Sequence, residues 1–202
     1  SATWLDASPP FLALAARLAA DGPAALRGAD ARRANLTSAG PWPRAALVVA
    51  SYALAEIGAD KQISVVNELW TVCEGVLALV EPGTPAGYAR ILAARTALIE
   101  AGATVLAPCP HARACPLVGE DWCHFSVRLP RSRAHRQAKG ASLGYEDEKF
   151  SYLVVARPSV AVRLPVGRVI RPPVVRKFEV ELALCTGNGL NGAHVMSREG
   201  AP

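Results

Sequence analysis

The sequence predicts an α/β fold built on a doubly wound, mostly parallel sheet, and three features carry that prediction. Through residues 1–107, strand-length apolar runs alternate with stretches of helical periodicity, the order that places helices on the faces of a parallel sheet. The run Ala45-Ala-Leu-Val-Val-Ala50 is apolar throughout, as in strands buried on both faces. After Pro108 the character changes to cysteine, proline, histidine and arginine, and periodicity resumes only at Phe150. That change marks an insertion with its own chemistry.

Taken in order, Ala2–Asp6 reads as a short strand ending in an acid, and Pro10–Ala19 follows as a helix opened by proline. Ala24–Asp30 reads as a second strand ending in an acid, followed by a loop around Gly40-Pro-Trp-Pro43. From Lys61 to Glu74, apolar residues at Ile63, Val66, Leu69, Trp70 and Cys73 paint one helix face leading into the strand Val76–Val80. A helix over Pro85–Ala101 ends at Gly102, and the strand Thr104–Ala107 follows. Beyond the insertion, Phe150–Ala156, Gly167–Ile170, Phe178–Leu184 and His194–Met196 read as mainly antiparallel strands.

With 202 residues, 51% of them hydrophobic and 19% charged, the chain suits one globular domain with a small appendage. It shows no apolar run long enough for a membrane span and no basic-then-apolar leader, so a soluble monomer is expected. The net charge of +5 is unevenly spread: residues 1–100 hold 8 Lys/Arg against 9 Asp/Glu, and residues 101–202 hold 14 against 8.

Three of the five cysteines crowd together as Cys109-x5-Cys115-x7-Cys123, and Cys185 stands at the end of a predicted strand that returns beside them. These four thiols form a candidate first shell for one metal centre, whereas Cys73 reads as a buried small apolar residue. Structural zinc sites usually pair cysteines across two to four residues. The longer gaps suit an iron–sulfur cubane, whose irons sit at separate corners. Spacing alone leaves zinc open, with His111 or His124 able to replace Cys185 as the fourth ligand.

Several strings carry a signature: Leu79-Val-Glu-Pro-Gly-Thr-Pro-Ala-Gly87, Ala107-Pro-Cys-Pro-His111, Cys115-Pro-Leu117, Asp121-Trp-Cys-His-Phe125 and Glu146-Asp-Glu-Lys-Phe-Ser-Tyr152. The chain resembles, over nearly its whole length, the mitochondrial small-ribosomal-subunit methyltransferase-like family and its bacterial relatives. The resemblance implies a class I S-adenosylmethionine-methyltransferase-like fold, a 4Fe–4S cluster on Cys109, Cys115, Cys123 and Cys185, and association with small-subunit ribosomal RNA or the assembling small subunit. Such a fold opens with a strand and a glycine-rich loop; here the sequence starts at what matches the second strand, so a truncated sequence lacking the first strand is expected. Asp6 matches the acid that contacts the cofactor ribose, and Asp30 the position facing adenine. The expected organisation is a partial methyltransferase-like domain over 1–107, a cysteine-rich, basic insertion over 108–149, and strands over 150–202 that complete the sheet and supply the fourth cysteine. The expected location is the cytoplasm of a bacterium or the mitochondrial matrix of a eukaryote.

Ser51-Tyr52 follows the fourth strand of that fold, where acceptor-contacting residues lie, and Tyr52 is suited to stack on a flipped base. The pair is not an Asn/Asp-Pro-Pro-Tyr motif, so no catalytic residue is assigned, and a non-catalytic assembly factor is the alternative to an enzyme. Between Ser126 and Tyr145 there is no acid, while Arg128, Arg131, Arg133, Arg136 and Lys139 accompany His135; this stretch is read as an RNA-phosphate surface. Arg168, Arg171, Arg176 and Lys177 add a second basic stretch, and Trp122 and Phe125 are expected to pack around the metal centre.

Overall fold

The structure, a computed structural model, describes residues 2–38, 40, 42–117 and 119–196. The chain forms two compact units, Ser1–Ala45 and Ala46–Pro202.

In the first unit, β1 (Thr3–Asp6) leads to α1 (Pro9–Ala19), a short α2 (Ala24–Arg27) and β2 (Asp30–Arg33). The two strands pair in parallel from Thr3↔Asp30 to Asp6↔Arg33. The strand expected over Ala24–Asp30 is therefore corrected: its first half is a helical turn, because Ala-Ala-Leu-Arg after Pro23 is a run of strong helix formers, and Asp30 opens the strand instead of closing it. In the loop that follows, Pro41 lies outside the described residues.

The second unit begins with β3 (Ala45–Ser51), α3 (Ala59–Val72), β4 (Cys73–Pro82), α4 (Pro85–Glu100) and β5 (Thr104–Ala107). It continues through β6 (Phe125–Pro130), α5 (Arg133–Ala138) and β7 (Tyr145–Ala156). Five strands form one sheet in the order β3-β4-β7-β5, with β6 also on β7. Because β7 runs antiparallel to both β4 and β5, those two point the same way. The core lies where α3 and α4 pack on the sheet: Val66, Leu69 and Trp70 of α3, Ala94 and Leu98 of α4, Leu77 and Leu79 of β4, and Leu153 and Val155 of β7 are all buried.

Local chemistry sets the ends of these elements. α4 starts at Thr84, whose hydroxyl accepts from the Gly87 amide at 3.1 Å, with Pro85 in its first turn. It stops before Gly102, which takes the left-handed φ of 81° that glycine tolerates. α3 passes straight into β4 at Cys73, two residues earlier than periodicity suggests; Arg157 holds that corner by donating to the Trp70 and Cys73 carbonyls while stacking on the Trp70 ring.

Three expectations change. β3 is an edge strand whose Leu47 and Val49 are 60% and 58% exposed, so its apolar run is not buried on both faces. β7 starts at Tyr145, five residues before periodicity resumes, and pairs with β6 from Phe125↔Phe150 to Pro130↔Tyr145; half of the supposed insertion is thus a hairpin of the sheet. Finally, β8 (Gly167–Val169), β9 (Val174–Val175), β10 (Glu179–Thr186) and β11 (Gly189–Met196) form a separate antiparallel sheet, and it is β7 that fills the main one. Among the described residues, no helix is long and apolar enough to cross a membrane.

Candidate functional site

The loop between β5 and β6 carries Cys109, Cys115 and Cys123, and β10 brings Cys185 to it. All four line one cavity, closed in by Tyr88, Ile91, Leu92 and Arg95 of α4 and by Phe125, Leu153 and Ile170. The cavity leaves about 30 Å³ for the centre of a water-sized sphere, more than a single water requires. Its walls are apolar apart from sulfur, Arg95 and a few hydroxyls.

The loop is pinned by its own carbonyls. Arg95, 4% exposed, donates through Nη2 to the carbonyls of His111 (2.8 Å) and Arg113 (2.7 Å). Ser151 on β7 donates to the Cys123 carbonyl at 2.8 Å, and Arg168 on β8 to that of Pro108 at 3.1 Å. The Trp122 indole donates to the Gly83 carbonyl at 3.0 Å, and its ring stacks on His124. Trp122 thus ties the loop to the turn ahead of α4, while Phe125 faces the cavity among Phe150 and Tyr152. Arg171 pairs with Asp121.

Burial shapes the thiol chemistry. It pushes the Cys123 thiol up to about 12, helped by the neighbouring Cys109 and Cys115. Burial likewise raises Cys109, opposed chiefly by the Arg95 guanidinium, and raises Cys185, reinforced by Cys109 and Cys115. The thiols therefore disfavour one another's ionisation. The Tyr88 hydroxyl donates to Cys115 Sγ at 3.1 Å. His111 Nε2 lies 3.7 Å from Cys185 Sγ, and burial lowers the His111 pKa. Among the described residues, no group of three or more His, Cys, Asp or Glu side chains is gathered so as to hold a metal ion.

The other candidates lie on elements of both units. Asp6 closes β1 and accepts from the Ser8 amide at 2.6 Å, whereas Asp30 opens the parallel strand β2 and pairs with Arg32. These two acids therefore sit at opposite ends of their sheet. Ser51 ends β3; Tyr52 follows in the left-handed region at φ 55°, its amide bonded to the Val80 carbonyl and its hydroxyl donating to Glu148 at 3.1 Å. Of the basic stretch, Arg128 makes a bidentate pair with Asp147, and Arg131 and Lys139 both pair with Glu146. Arg133 and Arg136 on α5 stay exposed. In the second basic stretch, Arg176 pairs with Glu179 and Glu181, and Lys177 lies over Phe178.

Sequence reasoning missed Tyr88, Arg95 and Ser151. The signal for Arg95 was present, since it continues the apolar stripe of Ile91, Ala94 and Leu98, where a charge has to be explained.

Fold and site together define an α/β protein whose sheet carries a cavity lined by four cysteines. The chain belongs to the family described as mitochondrial small ribosomal subunit Rsm22, whose model matches residues 1–200. It is 30% identical over 155 residues to the mitochondrial ribosome assembly protein METTL17 of Homo sapiens, covering 71% of this chain and 32% of that protein. It is 29% identical over 189 residues to the mitochondrial Rsm22-cox11 tandem protein 2 of Schizosaccharomyces pombe, covering 69% of this chain and 24% of that protein. The chain thus spans about a third or less of the curated relatives it matches. Among solved structures, a putative methyltransferase from Bacillus halodurans is similar at a TM-score of 0.45 and 13% identity, over 78% of this chain and 83% of that one.

Proposed function

We propose that this chain is the cluster-bearing part of an S-adenosylmethionine-dependent, methyltransferase-like protein that acts on ribosomal RNA of the assembling small subunit. The cavity carries the reading: four thiols from two separate segments face one apolar chamber beside a buried guanidinium whose Nε has no hydrogen-bond partner. A buried cation is costly without an anion beside it, and a metal centre in a thiolate shell provides one. Cys109, Cys115, Cys123 and Cys185 would hold a 4Fe–4S cluster. Zinc, the alternative, would need all four sulfurs about 2.3 Å from a single point; the gaps of five and seven residues between Cys109, Cys115 and Cys123 support the larger centre. When bound, the cluster supplies an anionic, redox-capable anchor for the loop.

Support for the cofactor comes, within the second unit, from Ser51-Tyr52 at the carboxyl end of β3, where open α/β sheets bind ligands; within the first unit, Asp6 likewise ends β1. The uncommon backbone of Tyr52 adds to it, since such conformations concentrate at functional sites. Arg133 and Arg136 supply free cations for RNA phosphate. The relatives are mitochondrial proteins, which fits a matrix location in a eukaryote; a bacterial chain would work in the cytoplasm. The non-catalytic assembly-factor reading draws on Asp30, which lies away from the strand end an adenine contact requires.

Two measurements test this. Anaerobically purified chain is expected to be brown, with broad absorbance in the visible blue and about four irons per chain; a colourless chain with one zinc overturns the cluster. The whole protein, given small-subunit RNA and labelled S-adenosylmethionine, is expected to transfer label; RNA binding without transfer selects the assembly factor.

A further inference from the structure

Helix α4 turns a single face to the cavity, since Tyr88, Ile91, Leu92 and Arg95 all line it and are spaced as one helical stripe. Two of the four are polar, and each contacts the cysteine set. The Tyr88 hydroxyl donates to Cys115 Sγ. Arg95 lies beside Cys109, holds the loop by two carbonyls, and retains a buried Nε without a partner. For packing alone, Phe and Leu would serve better, because a buried guanidinium with no carboxylate beside it is a lasting cost.

We propose that Tyr88 and Arg95 are positioning residues that set the reduction potential and the retention of the cluster, Tyr88 by an O–H···S hydrogen bond to Cys115 and Arg95 by a fixed positive charge beside Cys109. The inference rests on the cluster reading above. Adding one electron to a cluster increases the negative charge on its sulfur shell, so a donor and a cation at that shell favour the reduced form and raise the potential. Arg95 also anchors the loop between Cys109 and Cys115, so its loss frees two ligands at once.

The full chain, reconstituted anaerobically with iron and sulfide, would be titrated with dithionite in the presence of redox mediators and followed by visible absorbance and electron paramagnetic resonance. Tyr88→Phe removes one oxygen; it is expected to keep wild-type iron content while its midpoint potential moves to a more negative value. Arg95→Gln is expected to lose iron to a chelator about tenfold faster or more, as outer-shell substitutions at metal sites do, with Arg95→Lys in between. A wild type that holds the cluster, together with a Tyr88→Phe chain of unchanged potential, overturns the tuning role and leaves the cluster reading intact. A wild type that binds no cluster overturns both. If Arg95→Gln fails to fold, Tyr88→Phe decides the Tyr88 role and iron loss from Arg95→Lys decides the Arg95 role, wild-type retention in that variant overturning the anchoring by two carbonyls.

Discussion

Two neighbouring parts of the second unit reached the same sheet by different chemistry. The β4–α4–β5 segment is apolar, tightly packed and capped at both ends. The β6–β7 hairpin is mostly exposed along β6, and ladders of opposite charge tie it: Arg128 to Asp147, and Arg131 and Lys139 to Glu146. In the first, buried apolar side chains hold the elements together on the face away from the cysteine cavity. In the second, charges that look independent along the sequence meet β7: Arg128 from the facing strand, Arg131 and Lys139 from the connection that carries α5. A run of one sign is therefore no measure of free charge until the opposite strand is known.

The sharpest way to break the first half of this contrast is Gly87→Ala. A Cβ at Gly87 would lie 1.9 Å from the Pro82 carbonyl oxygen, a backbone atom that cannot move without displacing the Thr84 cap and the Gly83 carbonyl that receives Trp122. Overpacking of this kind costs about 3 kcal/mol, read as a lowered urea midpoint at unchanged slope. A loss below about 1 kcal/mol would show that the turn before α4 is looser than its geometry.

The same contrast explains what was legible. Thr104–Ala107 was readable to the residue and α4 nearly so, because continuous apolar runs, Pro85 and Gly102 punctuate them. The first half of β7 was not, since Tyr-Glu-Asp-Glu-Lys carries no strand-like apolar signal and pairs through charge. That Cys109, Cys115, Cys123 and Cys185 line one cavity agrees with their grouping by spacing and motif. Their supports were not legible: Ser151 and Arg168 act on backbone carbonyls from distant strands, and no spacing encodes such a contact. Asp30 was misplaced along its strand because an acid after Gly-Ala reads equally well as a strand's end or its beginning.

A smaller effect separates free from committed cations. Arg133 and Arg136 are exposed on α5, while Arg128, Arg131 and Lys139 already have carboxylate partners. For single-stranded small-subunit RNA, Arg133→Ala with Arg136→Ala is expected to flatten the dependence of log affinity on log salt by about 1.4, the contribution of two phosphate contacts. Arg128→Ala with Lys139→Ala should leave that slope near wild type. Equal flattening by both pairs would mean that RNA outcompetes the internal carboxylates and that the hairpin's charge ladder opens on binding.

The mildest test addresses the ladder itself. Hydrogen bonds from Arg131 and Lys139 hold the Glu146 carboxyl at about 2, against an ordinary 4.5. Because the folded value is depressed, the pair's contribution is fully present above the unfolded pKa and is lost as pH falls from 4.5 towards 2. Wild type and Glu146→Gln should therefore differ in urea midpoint at pH 6 and converge as the pH approaches 2, the Arg128–Asp147 pair being common to both. Glu146 and Arg131 are 16% and 15% exposed, so moderate salt should screen the difference only partly. A gap that vanished in salt at pH 6 would mean that Glu146 makes ordinary surface pairs, and its two cations, Arg131 and Lys139, would return to the set available for RNA.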